Sequence, residues 1–340
     1  MVSIKDIAME MGVSIATVSM ALNDKDQISK ETKERVKETA RRMGYQPSMV
    51  ARALKTNHTK TIGMVVGAIA NDYFLEEIAA VEDIASERGY GVFICDARAS
   101  KEGALAALET LLSRNVEIII VTAGFYLGKK FEKKLSECME NGTICVTTSE
   151  NNLKGIDIPC VSQDPVQSLR DVVQKLCGYG HQKVGVLTTK EGTWLRNTRF
   201  KIMKEELQRQ GIFSEDLVLP IDLGFDYAVK AAGELLSRHP EITAIFAIND
   251  IVAMGILSYA ISAGIKVPEE LSVIGFDGVK YSQYMNPKLT TIYAPTYDMG
   301  RFVVEKAIEA LENGTDVSTI EDLMIPCSVK WGQTIGPARG

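Results

Sequence analysis

The 340-residue sequence predicts an all-α helix-turn-helix head followed by a two-lobed α/β core, its parallel sheets covered by helices. Three observations predict this. Apolar residues recur at helical spacing between Ile4 and Met43. From Thr61 onward, short apolar runs alternate with amphipathic stretches, the pattern of parallel strands buried on both faces. The charge is also unevenly placed: residues 1–60 hold 11 Lys and Arg against 7 Asp and Glu, while the remainder holds 27 against 37. A basic head on an acidic body points to a confined nucleic-acid contact and a body that avoids it. The length exceeds one comfortable core, so several folding units are expected.

The head comes first. Ile4, Ile7, Ala8 and Met11 predict a helix that Gly12 ends, and Ser14 is a good N-cap for a second helix over Ile15–Leu22. The apolar face of that helix is Val18 with Leu22, set against Ile7 and Ala8. A third helix follows Ser29 through Val36 and Ala40 to Met43 and stops at Gly44. The exposed side of the second helix offers Ser14, Ile15, Ala16, Thr17 and Ser19. A merely solvated face usually carries Lys or Glu, and none occurs between Ser14 and Leu22. Short neutral groups at a helix N-terminus suit close approach to base edges and phosphates in a major groove. Ser48 then caps a short helix candidate reaching Lys55. At about seven residues it is too short to stand alone, so it forms against a twin in a dimer, a DNA groove, or both.

The run Val13-Ser14-Ile15-Ala16-Thr17-Val18-Ser19, then Leu22-Asn23 and Gly44-Tyr45-Gln46-Pro47, resembles the head of the lactose-repressor (LacI/GalR) family of bacterial transcriptional regulators. The resemblance continues through Thr61-Ile62-Gly63, Gly180-His181, Ala247-Ile248-Asn249-Asp250, Val267 to Asp277, and Leu289-Thr290-Thr291-Ile292. It implies a DNA-contacting set of Ser14, Ile15, Ala16, Thr17, Ser19, Met20, Asn23, Ser29, Ala51 and Leu54. Ile15 and Ala16 match its base-reading positions, and Leu54 matches the hinge leucine that wedges into the minor groove. Met20 stands where arginine is common, and it cannot make the bidentate contact to guanine. An operator departing from the usual half-site at that base pair is therefore expected.

In the body, strands are expected at Ile62–Val66, Val92–Cys95, Ile118–Val121, Ile144–Thr147, Val184–Thr188, Leu217–Pro220, Ala244–Ala247 and Val273–Phe276. Helices are expected between them, among them Ala79–Glu87, Leu105–Ser113, Val166–Cys177, Arg199–Gln210, Ala228–Leu236 and Ile251–Ala263. A seam near Pro159–Gln163 divides two lobes, Leu289–Pro295 reads as a crossover, and the resemblance returns a helix near Met299–Leu311 to the first lobe. The resulting division is 1–46 for the head, 47–60 for the hinge, 61–160 with 294–322 for one lobe, and 161–293 with 323–340 for the other. The resemblance implies a periplasmic-binding-protein-like fold, and ligands of such open sheets bind at strand C-terminal ends.

Asp250, Asp277 and Arg199 fall just after strands, where carboxylates and a guanidinium can bridge hydroxyls or hold an anion. The resemblance adds Asn249 and, on the first lobe, Asn71, Tyr73 and Phe74; Trp194 offers a ring to stack on a sugar. Asp72, Gly278, Ile202 and Leu223 depart from the family pattern, Gly278 standing where a second aspartate follows Asp277, so a reshaped site is expected.

Other classes fit less well. A transport-type solute-binding protein needs an export signal and no basic head, and the N-terminus has no apolar signal core. No apolar run of about 18 residues predicts a membrane span, and cytoplasmic residence follows. Gly63 and Gly67 do not form GxGxxG, and neither GxSxG nor a P-loop lysine occurs, so no enzyme is expected. The six cysteines are scattered without a CxxC pair and the three histidines are isolated, so no metal or cofactor is assigned. Cys95 and Cys145 read as buried free thiols. The expected partners are a pseudo-palindromic double-stranded DNA operator, a small carbohydrate-type effector and a second copy of the chain; the alternative controller is a protein partner. The tail after Cys327 lacks a leucine heptad, which argues for a homodimer and against a tetramer.

Overall fold

The computed structural model describes residues 2–45, 58–149, 153–191 and 196–339. They fall into two compact units, Met1–Thr59 and Lys60–Gly340. The hinge-helix candidate with Ala51 and Leu54, and also Trp194, lie outside the described residues.

The head unit contains α1 (Ile4–Met11), α2 (Ile15–Leu22) and α3 (Lys30–Arg42). Ile7, Ala8, Val18, Ala21, Val36 and Ala40 form its core. Ala21 is fully buried beside Val18, and Leu22, half-buried, packs against the same core as expected. The reason is geometric, since Val18 and Ala21 are one turn apart and a small side chain lets the helices approach closely.

In the body, β1 (Thr61–Val66), β2 (Gly91–Asp96), β3 (Ile118–Thr122) and β4 (Ile144–Thr147) form a parallel sheet in the order β2-β1-β3-β4. Strand alternation distributes its two faces. Ile62, Met64, Val66, Ile118 and Ile120 pack with Val81 and Ala85 of α4 (Leu75–Glu87). They also meet Val303, Val304 and Ala307 of a late helix, α11 (Thr296–Asn313). Val65, Ile119 and Val121 face the other way, toward Leu108 and Leu111 of α5 (Lys101–Ser113) and Phe131 and Leu135 of α6 (Lys129–Glu140). Each such side chain, fully buried, contributes about 1.5–3 kcal/mol.

The second lobe has six strands in the order β12-β10-β9-β8-β6-β7. These are β6 (Val184–Thr189), β7 (Val218–Ile221), β8 (Ala244–Ala247), β9 (Ser272–Asp277), β10 (Thr290–Tyr293) and β12 (Ser328–Lys330). Helices α7 (Val166–Gly178), α8 (Lys201–Arg209), α9 (Phe225–Arg238) and α10 (Asp250–Ala263) cover it around Phe246, Phe276 and Ile256. Between the lobes, β5 (Val161–Asp164) and β11 (Leu323–Pro326) run parallel as a hydrogen-bonded pair, Leu323 opposite Val161. Val161 packs in the first-lobe core with Ile325 against it.

Several expectations are corrected here. Thr290–Tyr293 within the expected crossover is a strand parallel to β9, so the chain crosses only after it. β12 runs antiparallel to β10. Arg199 does not open a regular helix; it lies in a wide π-type turn at Arg196–Phe200, ahead of α8. Cys145 is buried, but Cys95 is half-buried because β2 is the sheet edge and one of its sides is uncovered. Among the described residues, no helix is long and apolar enough to cross a membrane.

Candidate functional site: a neutral-helix face and an inter-lobe cleft

In the head, local capping sets the geometry of the candidate DNA face. Ser14 Oγ accepts Thr17 N–H at 3.0 Å and starts α2. Ser29 Oγ accepts Thr32 N–H at 3.3 Å and starts α3. Ser14, Ile15 and Ala16 are exposed at the first turn of α2, Ile15 at 49%. Thr17, Ser19 and Met20 are half-buried behind them. Asn23 is exposed and donates its amide to the Ser19 carbonyl at 2.7 Å, closing the C-terminal end. An uncharged helix start with a protruding aliphatic presents backbone N–H groups to an anion and a methyl-rich surface to bases.

In the body, a cavity of about 310 Å³ opens between the lobes at strand C-terminal ends. From the first lobe it is lined by Asn71, Tyr73 and Phe74 after β1 and by Phe125 after β3. From the second it is lined by Arg199, Asn249, Ile251, Leu223 and Asp277. Six of the residues expected from the sequence are therefore brought together: Asn71, Tyr73, Phe74, Arg199, Asn249 and Asp277. Asp250 is not. It lies behind the wall, fully buried, with both carboxylate oxygens engaged by Thr291 and Val279. Phe125 and Ile251 were not anticipated; Phe125 obeys the same rule as Asn71, following a strand end.

Each polar group has a defined anchor. Asn71 Oδ1 accepts Tyr73 N–H at 3.2 Å, fixing the turn that presents Tyr73. Asn249 Oδ1 accepts Val252 N–H at 3.0 Å as the cap of α10, which leaves its amide NH₂ for the cleft. Arg199 Nη1 meets Asp277 Oδ1 at 2.5 Å, with both side chains only 3% exposed. The guanidinium stacks 4.0 Å from the Phe276 ring centroid and 5.4 Å from that of Tyr73, so it spans second lobe to first. Burial pushes the Asp277 carboxyl upward against the pull of Arg199. Burial, and then Asp277, hold Asp250 well above the usual carboxylate range, while its bonds from Thr291 and Val279 oppose the shift.

The cleft's two formal charges are thus spent on each other, and its remaining wall is aliphatic or aromatic with amide donors at two points. Such a site orients a neutral, hydroxyl-bearing ligand against apolar faces. Gly278 accounts for one departure from the family pattern. It sits at φ 71°, and a Cβ there would lie 2.7 Å from Tyr293 Cα, so no aspartate fits. His181 is a core residue between Thr243 Oγ1 at 2.8 Å and the Gly336 carbonyl at 2.9 Å. Among the described residues no His, Cys, Asp and Glu cluster could hold a metal ion.

Fold and cleft define a helix-turn-helix head followed by a two-lobed, periplasmic-binding-protein-like α/β body. Residues 3–48 match the family of bacterial regulatory proteins named lacI, and residues 173–335 match the periplasmic binding protein-like domain. The chain is 32% identical over 312 residues to the ribose operon repressor of Halalkalibacterium halodurans, covering 92% of this chain and 91% of that one. It is 31% identical over 300 residues to the transcriptional repressor CytR of Escherichia coli K12, covering 88% and 86%. In fold it is similar to the lac repressor dimer bound to operator and an anti-inducer, with a TM-score of 0.84 at 22% identity over 98% of each chain. It is also similar to CcpA of Lactococcus lactis, with a TM-score of 0.71 at 26% identity over 81% of this chain and 98% of that one. The chain belongs to the lacI family and is a transcriptional regulator, not an enzyme.

Proposed function

We propose that the protein is a homodimeric, effector-controlled repressor that reads a pseudo-palindromic operator and responds to a small hydroxyl-rich molecule bound between its lobes. The observation that carries this reading is the second lobe's Arg199–Asp277 pair set against the first lobe's Tyr73 in one cavity. A ligand seated on it touches both lobes and so favours their closed arrangement. Similarity to a ribose operon repressor supports a carbohydrate or a carbohydrate-bearing effector. In this reading Ile15 and Ala16 meet base edges, Leu54 enters the minor groove, and lobe closure alters the spacing of the two hinge helices.

Dimerisation is supported by uncovered apolar surface. Edge strand β2 leaves Phe93 38% and Ile94 40% exposed. Leu75, Tyr281 and Tyr284, also exposed, share a separate groove. Apolar side chains on an unpaired sheet edge are a place for another copy to bind.

A thermal-shift screen of full-length protein against pentoses, hexoses, sugar phosphates, nucleosides and purines tests the effector reading. A ligand at about 100 times its Kd adds roughly 2.7 kcal/mol, several degrees for a chain of this size. The expected hit vanishes in Arg199→Ala and changes the affinity for operator DNA selected from random sequence. A blank screen, with operator binding intact, transfers control to a protein partner.

A further inference from the structure

Asp250 is a buried carboxylate that the cleft does not use. Its chain neighbours Asn249 and Ile251 both line the cavity, yet Asp250 does not. Its Oδ2 accepts Val279 N–H at 2.9 Å, and its Oδ1 accepts the Thr291 hydroxyl at 2.5 Å. The Thr291 oxygen in turn accepts Gly278 N–H at 3.2 Å. Lys330 Nζ donates to the Gly278 carbonyl at 3.2 Å. The backbone just after Asp277 is therefore tied at three points by side chains from three other elements. Asp250 is also pressed onto β9, since a Cβ added at Gly275 would lie 2.1 Å from its Oδ1.

The residue these ties follow is the unusual one. Asp277 has a φ of 116°, a conformation that residues with side chains avoid and that persists only where surroundings over-determine it. The Asp277 carboxylate is also the one that meets Arg199. Without the ties, relaxation of φ at Asp277 swings its Cβ, and with it the carboxylate, away from the guanidinium.

We propose that Asp250 is a positioning residue: together with Thr291 it clamps the Gly278–Val279 turn, and through that turn it sets Asp277 against Arg199. Its part in effector recognition rests on the cleft reading above; the clamp itself does not. Asp250 thus acts one step behind the ligand, through a strained neighbour.

Nitrogen-15 NMR of the arginine guanidinium groups, recorded on ligand-free full-length protein, reads the pair directly. A guanidinium held by a carboxylate rotates slowly and gives resolved Nη signals, whereas a loose one gives an averaged signal. The Arg199 signals are assigned by their loss in Arg199→Lys. The clamp predicts resolved signals in the wild type and in Thr291→Ser, which keeps the hydroxyl. It predicts averaged signals in Asp250→Ala and in Thr291→Val, with the double variant no worse than either single one. Val273→Ala, destabilised in the same strand by loss of packing alone, keeps them resolved.

Resolved signals in Asp250→Ala or in Thr291→Val overturn the proposal, as does averaging in Val273→Ala. Should Asp250→Ala fail to fold, Thr291→Val against Thr291→Ser decides the same question. Signals that respond as predicted beside a blank ligand screen sustain the clamp and overturn the small-effector reading. Signals that do not respond overturn the clamp whatever the screen gives.

Discussion

Glu77 is fully buried in the first lobe, where its carboxylate accepts the Thr122 hydroxyl at 2.8 Å and the Thr148 hydroxyl at 2.6 Å. Burial pushes its pKa up to about 7, with the two hydroxyls pulling the other way. A carboxyl raised on folding binds more protons in the native state than in the unfolded chain. Stability therefore falls as pH rises from about 4.5 to about 7 and stays low above it. Glu77→Gln removes that penalty. The expected gain is on the order of 2–3 kcal/mol at pH 8, shrinking toward pH 5, as thermal midpoints across pH will show. Gly278→Asp, restoring the residue common in the family, meets Tyr293 Cα and strains a positive φ. It should lower stability by about 2 kcal/mol or more at an unchanged denaturant m-value. At this scale the sequence was legible where a polar residue ends or follows a strand, as Asn71, Asn249 and Asp277 do. It misled at Asp250, because adjacent residues at a helix start point to opposite sides of a wall. Phe125 was overlooked because an aromatic carries no charge to mark it.

Among elements, the strands found from sequence are those made of continuous apolar runs, such as Ile118–Thr122. β5 reads Val-Ser-Gln-Asp, and its buried Ser162 and Gln163 give no apolar signal. Its place is fixed by pairing with β11, some 160 residues away in the chain, which no local pattern can reveal. Helix α6 was obscured by its four lysines, although Phe131, Leu135 and Cys138 recur on one buried face. In the head, the uncharged start of α2 leads to a separate expectation. Changing Ile15 should alter which bases are preferred, whereas removing head lysines should weaken all sequences alike and reduce the salt slope. Site selection from random DNA with the Ile15→Ala variant checks this, and an unchanged preferred sequence would contradict it.

At the scale of the whole molecule, the exposed edge of β2 bears on assembly. Replacing Phe93 and Ile94 together with aspartate puts charge on the uncovered edge without touching the central strands. Sedimentation should then show monomers where the parent chain gives dimers, and operator affinity should fall because half-sites are no longer bound together. A dimer that survives the double substitution would place the interface elsewhere.

The paired strands β5 and β11 have a mechanical consequence. Two free strands linking the lobes would let one lobe tilt, twist and slide on the other independently. Because Val161–Asp164 and Leu323–Pro326 are hydrogen-bonded side by side, and the chain crosses a third time after Tyr293, the two paired segments move together and not independently. In the effector reading proposed above, a ligand that shuts the cleft acts on a joint whose paired strands cannot slide past one another.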